Sequence, residues 1–144
     1  MTASASNLKK QRMESIEVSA VLPATPLRIY RAWMNGEQHS GMTGGGAAEI
    51  DPAVGGRFTA WDGYISGITL ETNSPRRIVQ AWRTTEFAKR AKDSRLEVSL
   101  ERVKGGTRIT LRHTVIPKGQ GEGYRQGWLD YYLVPMHAYF AAKR

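Results

Sequence analysis

Few side chains in this sequence can do chemistry. It has 3 histidines and no cysteine in 144 residues. Without cysteine there is no thiol nucleophile, no disulfide and no thiolate metal site. His39, His113 and His137 are scattered, without the spacing that gathers ligands round a metal ion. No GxSxG elbow, P-loop or dinucleotide fingerprint is present. Gly44-Gly45-Gly46 follows no clear strand and reads as a hinge. What remains is three polar residues, Ser66, Gln80 and His113, set inside apolar stretches. A buried polar group costs on the order of 1–3 kcal/mol unless it finds a hydrogen-bond partner. These groups are therefore either handles for a ligand or bonded to one another, to backbone or to water. His113 beside Tyr64 or Tyr132 would also make an acid–base pair for a cyclase or dehydratase.

Aromatic side chains are the second resource. Trp61, Trp82, Trp128, Tyr131 and Tyr132 either line a pocket or fill it. Trp33 and Met42 are candidates for a pocket mouth. The candidate ligand-binding set is Trp33, Phe58, Tyr64, Ser66, Gln80, Trp82, His113, Trp128, Tyr132 and Met136. No catalytic residue, metal or cofactor is expected.

These residues need elements to position them. In the last segment, Trp128, Tyr131, Tyr132, Pro135, Met136, Tyr139 and Phe140 recur at steps of three and four. That spacing marks one face of an α-helix, with Gly123 and Gly127 near its start. Pro135 should kink it, because proline removes an i→i−4 hydrogen bond. Residues 15–22 alternate as a first strand. Thr25-Pro26 then opens a helix with a capping hydroxyl and a proline at its first position. Leu27, Tyr30 and either Ile29 or Trp33 form its apolar face, and Asn35-Gly36 stops it. Residues 37–42 add a turn of helix. Six strands follow, over 47–50, 57–61, 64–71, 76–84, 95–103 and 107–115. Asp62-Gly63 and Gly105-Gly106 supply hairpin turns.

Alternation assigns the faces. Tyr64, Ser66, Ile68 and Leu70 point inward from one strand; Ile78, Gln80 and Trp82 from the next; then Leu96, Val98 and Leu100; then Ile109, Leu111 and His113. The order β-α(α)-β6-α is an α+β helix-grip arrangement: a curved antiparallel sheet of about six to seven strands around a long C-terminal helix.

The stretches GGRFTAWDGYISGITLE (55–71), RIVQAWR (77–83) and Ile116-Pro117 followed by YRQGWLDYYLVPMHAYF (124–140) carry a resemblance over residues 15–142. The chain resembles the C-terminal-domain family of the activator of the heat-shock protein 90 ATPase. That family lies within the START-like (SRPBCC, Bet v 1-like) helix-grip superfamily. The resemblance implies a cavity between sheet and helix, and a chaperone as a possible partner with a stress-response role. Eukaryotic activators carry an additional N-terminal domain; only residues 1–14 precede the first strand here, so that domain is expected to be missing.

Bulk properties fit. A chain of 144 residues reads as one domain, 15–144, behind a polar tail, 1–14. No apolar run approaches the ~20 residues of a membrane span, and a cytoplasmic location is expected. The formal charge is +8, but the positive residues alternate with apolar ones and with glutamates, as on solvated strand faces. No specific nucleic-acid partner is expected. The leading expectation is binding of an apolar or aromatic small molecule by a monomer or homodimer; the alternative is a protein-interaction module of chaperone-accessory type.

Overall fold

The computed structural model describes residues 13–143. Most of the expected tail therefore lies outside the described residues, and Met13 and Glu14 already belong to the first strand. The elements are β1 (Met13–Leu22), α1 (Pro26–Trp33), α2 (Gly36–Met42), β2 (Glu49–Ile50), β3 (Arg57–Ala60), β4 (Ile65–Asn73), β5 (Arg77–Thr84), β6 (Ser94–Val103) and β7 (Gly106–Pro117). A last helix follows as α3 (Gly121–Gly127), a π-helical turn (Trp128–Leu133) and α4 (Val134–Ala142). The seven strands form one antiparallel sheet in the order β1-β7-β6-β5-β4-β3-β2. The fold is α+β, as the alternation implies.

Local chemistry explains the element ends. Thr25 Oγ1 accepts the Arg28 amide at 3.2 Å, and Asn35 Oδ1 accepts that of Gln38 at 2.9 Å. Each cap satisfies a donor that a helix start leaves free. The face of α1 is rotated from the expected one: Ile29, Ala32 and Trp33 are buried, while Leu27 is 38% exposed. Glu14, in β1, accepts the amides of Gly119 at 3.0 Å and Gly121 at 2.8 Å, so the first strand caps the last helix. These two bonds, with Lys118 nearby, hold its carboxyl below the usual range.

The β3–β4 hairpin keeps the register that Asp-Gly implies, with Ala60 opposite Ile65, but closes through the four residues 61–64 rather than through two. Trp61 and Asp62 take φ of 53° and 58°, with Gly63 next at 88°. A bulky residue rarely adopts this left-handed conformation. The turn is held by Asp62, whose amide donates to Ala47 O at 3.0 Å while its Oδ1 accepts the Ala47 amide at 2.9 Å.

The inward face of β4 is the opposite of the expected one. Ile65 and Thr69 are buried, while Leu70 is 45% exposed. Ser66 pairs with Thr59 and Arg83 on the outer face. The reason is Gly67, which pairs with both Phe58 and Trp82. A Cβ there would lie 2.6 Å from Phe58 Cζ and 1.9 Å from Ala81 O. Two large inward rings need a glycine between them, and alternation by hydropathy reads that glycine as outward. The register shift between Thr69 and Glu71 then returns the strand to pairing beyond Leu70.

Pro135 is accommodated by the π-helical turn before it. Val134 N–H reaches back five residues to Leu129 O, which widens the turn where proline has no N–H to offer. In consequence the adjacent Tyr132 and Leu133 are both buried. The centre of the protein is packed with Leu22, Ile29, Met42, Ile78, Leu96, Ile109, Leu111, Met136 and Phe140.

Candidate functional site

Two chains of hydrogen bonds run through the interior behind the last helix. In the first, Trp33 Nε1 donates to Gln80 Oε1 at 3.2 Å, and Gln80 Nε2 donates to Thr69 Oγ1 at 3.2 Å. His39 Nδ1 lies 3.0 Å from Trp33 O, an acceptor only, so Nδ1 carries the proton. His39 Nε2 then accepts from the Tyr132 hydroxyl at 2.7 Å. Burial pushes His39 down to about 4, against the opposing pull of the Trp33 carbonyl, and pushes Tyr132 up.

The second chain centres on His113. Trp128 Nε1, a donor only, points at its Nδ1 at 3.1 Å. The proton therefore sits on Nε2, which donates to Ser94 Oγ at 2.7 Å, and Ser94 donates to Trp82 O at 2.8 Å. Burial pushes His113 down to about 3. Both histidines are neutral, of opposite tautomers, with both nitrogens engaged. The Tyr132 hydroxyl is bonded to His39 and that of Tyr64 to the Glu86 carboxylate. The acid–base pair of His113 with either tyrosine is therefore not formed.

In front of these chains a pocket of about 280 Å³ opens between the β3–β4 turn, β5 and the last helix. Its walls are Trp61, Tyr64, Ile65, Trp82, Gly123, Tyr124, Gly127, Trp128, Tyr131 and Tyr132. The rings meet edge to face or tilted: Trp128–Tyr132 centroids are 4.7 Å apart, Trp82–Tyr124 5.0 Å, and Trp61–Tyr131 5.6 Å at the edge. One rim is polar. Thr84 Oγ1 and the Tyr124 hydroxyl lie 2.6 Å apart, and Tyr124 donates to Gln120 Oε1 at 2.6 Å. Burial, then the Glu86 carboxylate, push Tyr64 up. Among the described residues, no group of three or more histidine, aspartate or glutamate side chains could hold a metal ion.

The model of the family described as activator of Hsp90 ATPase homolog 1-like protein matches residues 23–141. The chain belongs to this family. It lies, with it, in the START-like helix-grip superfamily. The fold is similar to that of PFC0360w, an HSP90 activator from Plasmodium falciparum, with a TM-score of 0.81 and 25% identity over 88% of this chain and 96% of that one. Protein CV1439 from Chromobacterium violaceum matches with a TM-score of 0.72, also at 25% identity over 88% and 96%. Protein MLL2253 from Mesorhizobium loti shares the fold at 17% identity, TM-score 0.74, over 91% and 99%. No curated protein sequence matches the chain.

In this helix-grip family member the sequence candidates fall into separate places. Tyr64, Trp82, Trp128 and Tyr132 line the pocket. Trp33, Phe58 and Gln80 instead surround a second void of about 10 Å³, barely the size of one water. They are packed against Trp82 and Tyr132, which separate them from the larger opening. His113 stands behind Trp82 and Trp128. Met136 is fully buried in the core, and Ser66 is on the outer face of the sheet. Trp33 and Met42, expected at a mouth, are 2% and 0% exposed, so they pack the interior. The mouth is made by Trp61 and Tyr131 instead. Ile65, Tyr124 and the two glycines were not foreseen as lining, and Trp61 and Tyr131, read as possible lining, were left out of the candidate set. Tyr124 stands four residues before Trp128, on the same helical face, which is the signal that finds it.

Proposed function

We propose that this protein binds an apolar small molecule in the pocket between the sheet and the last helix. The observation that carries the reading is the 280 Å³ opening walled by aromatic rings. Its size lies just under the roughly 300–1,000 Å³ of most small-molecule sites, and its lining has their usual character. The histidine chains behind it support the walls by fixing Trp128 and Tyr132. On this reading residues 15–144 work as one helix-grip domain in the cytoplasm. A thermal-shift screen of apolar ring compounds tests it. A compound at 100 times its Kd adds about 2.7 kcal/mol to the stability of the native state. Tyr131→Ala, at a side chain 59% exposed at the mouth, should weaken binding without unfolding the protein. A screen without saturable shifts would sink the reading.

A second reading has its own support. PFC0360w, an HSP90 activator, is 25% identical over 96% of its length. We infer a chaperone of the Hsp90 type as a protein partner, with a role in stress response. The ATPase rate of a purified Hsp90 with and without this protein is the test. No stimulation and no binding at tens of micromolar would remove it.

A further inference from the structure

A chain at +8 has cations to spare, yet no charged side chain is among the ten residues that line the pocket. The two arginines next in sequence to lining residues are engaged elsewhere. Arg83 donates to Asp93 at 2.9 Å and to the carbonyls of Ala91 and Ala88, and Arg125 pairs with Glu122 at 3.6 Å. The charge that bears on the opening is negative. Tyr64, one of the lining residues, donates its hydroxyl proton to Glu86 Oε2. The main chain of Glu86 is tied to the same rim: its N–H donates to Thr84 Oγ1 at 3.1 Å, and its carbonyl accepts from Gln120 Nε2 at 3.2 Å. Among the described residues no cation pairs with this carboxylate.

The walls point the same way. Seven of the ten lining residues carry aromatic rings, and Ile65 is the one aliphatic side chain. Burial of a neutral hydrocarbon needs no rings, because the hydrophobic effect follows apolar area and has no direction. What rings add is a face of negative potential. Their angles matter too: Trp82 meets Tyr124 at 82°, Trp61 meets Tyr131 at 69°, and Trp128 meets Tyr132 at 65°. Rings set so steeply form corners. A corner suits a compact, rounded cation, whereas a flat guest stacks between parallel faces. Glu86 adds to the effect. A carboxylate that accepts the Tyr64 proton polarises the phenol and enriches its ring. Burial pushes the Tyr124 hydroxyl up, and the field of Glu86 adds to it, so the carboxylate acts across the rim.

Resting on the pocket reading above, we propose that the ligand carries a quaternary ammonium group on an apolar body. The ammonium lies among the ring faces, with Glu86 as its countercharge behind Tyr64. The apolar body fills the rest of the opening.

A matched pair of probes isolates the charge: (3-hydroxyphenyl)trimethylammonium and 3-tert-butylphenol share one shape and differ by a nitrogen for a carbon. Titration calorimetry gives both affinities. The ammonium should bind about tenfold tighter than its neutral isostere. Added salt should shrink that preference, because Glu86 is exposed at the rim. Glu86→Gln, which still accepts the Tyr64 proton, should reduce the preference several-fold. Protein grown on 5-fluorotryptophan, which replaces all 4 tryptophans, should bind the ammonium less tightly and the isostere as before, since fluorine drains the ring faces. Equal or tighter binding of 3-tert-butylphenol to the wild type overturns the proposal and leaves the pocket reading standing. Ammonium binding that neither Glu86→Gln nor fluorination moves overturns the site assigned to it. If neither probe binds, this inference fails, and the screen of apolar ring compounds decides separately whether the pocket reading fails with it.

Discussion

His39 and His113 make the interior sensitive to acid. Unfolded, each takes up a proton near pH 6.5; folded, they hold it off until about 4 and about 3. Below pH 6.5 the unfolded chain therefore binds more protons, and stability must fall as pH falls. The stability is fully present above 6.5 and lost progressively down to pH 4 and 3. At pH 5 the loss is about 2 kcal/mol per histidine. Urea unfolding at pH 7.5 and pH 5 checks this, and equal stabilities at the two values would contradict the neutral assignment. His113 was legible in the sequence, because it alternates inward with Ile109 and Leu111. His39 was not: α2 reads GEQHSGM, too polar to mark a buried face, and its partner Tyr132 is 93 residues away.

Elements in this fold meet at a few tight points, and β4 is the clearest. Gly67→Ala would push a methyl group against Ala81 O and the Phe58 ring. The expected cost is on the order of 1–3 kcal/mol or more, seen as a lower denaturation midpoint. An unchanged midpoint would mean that β3, β4 and β5 part freely there. A second joint is the carboxylate of β1 at the start of the last helix. Glu14→Gln should lower the melting temperature and speed hydrogen exchange at the amides of Gly119 and Gly121. Exchange unchanged at both would show that Glu14 does not hold them. The strands and helices themselves were legible, since periods of two and 3.6 are written in side-chain type. The face of β4 was not, because Gly67 is inward for its lack of a side chain. The π-helical turn was not either. Pro135 announces a disturbed helix, but only packing decides whether the backbone breaks or widens.

For the molecule as a whole, the outer face of the sheet carries much of the charge. Glu97, only 15% exposed, bonds Arg77 at 2.6 Å and lies 3.9 Å from Arg95 and 4.0 Å from Arg112. The Arg77 bond, then the neighbouring guanidiniums, holds its carboxyl below the usual range. Glu97→Gln removes the carboxylate shared by three arginines and leaves Arg77 only Glu71 and Arg112 only Glu17, on a chain already at +8. Its melting temperature should fall at low ionic strength and recover with added salt, since salt screens the repulsion. A salt response equal to wild type would mean that Glu97 does not organise this face. The overall architecture could be read from 144 letters. The pocket could not, because empty volume is what remains when every wall has been placed, and two of its walls are glycines.

The arrangement of tryptophans has an optical consequence. Trp128 stands 6.3 Å from Trp33 and 5.4 Å from Trp82, ring centre to ring centre. At such separations the excited states of the three indoles mix, and light absorbed by one is shared before it is emitted. The protein should show a circular dichroism couplet in the strong far-ultraviolet indole band that vanishes on unfolding. Trp61 pairs with a tyrosine instead, at the mouth. The four indoles thus behave as two chromophores: a coupled trio that monitors the interior and a single reporter at the entrance.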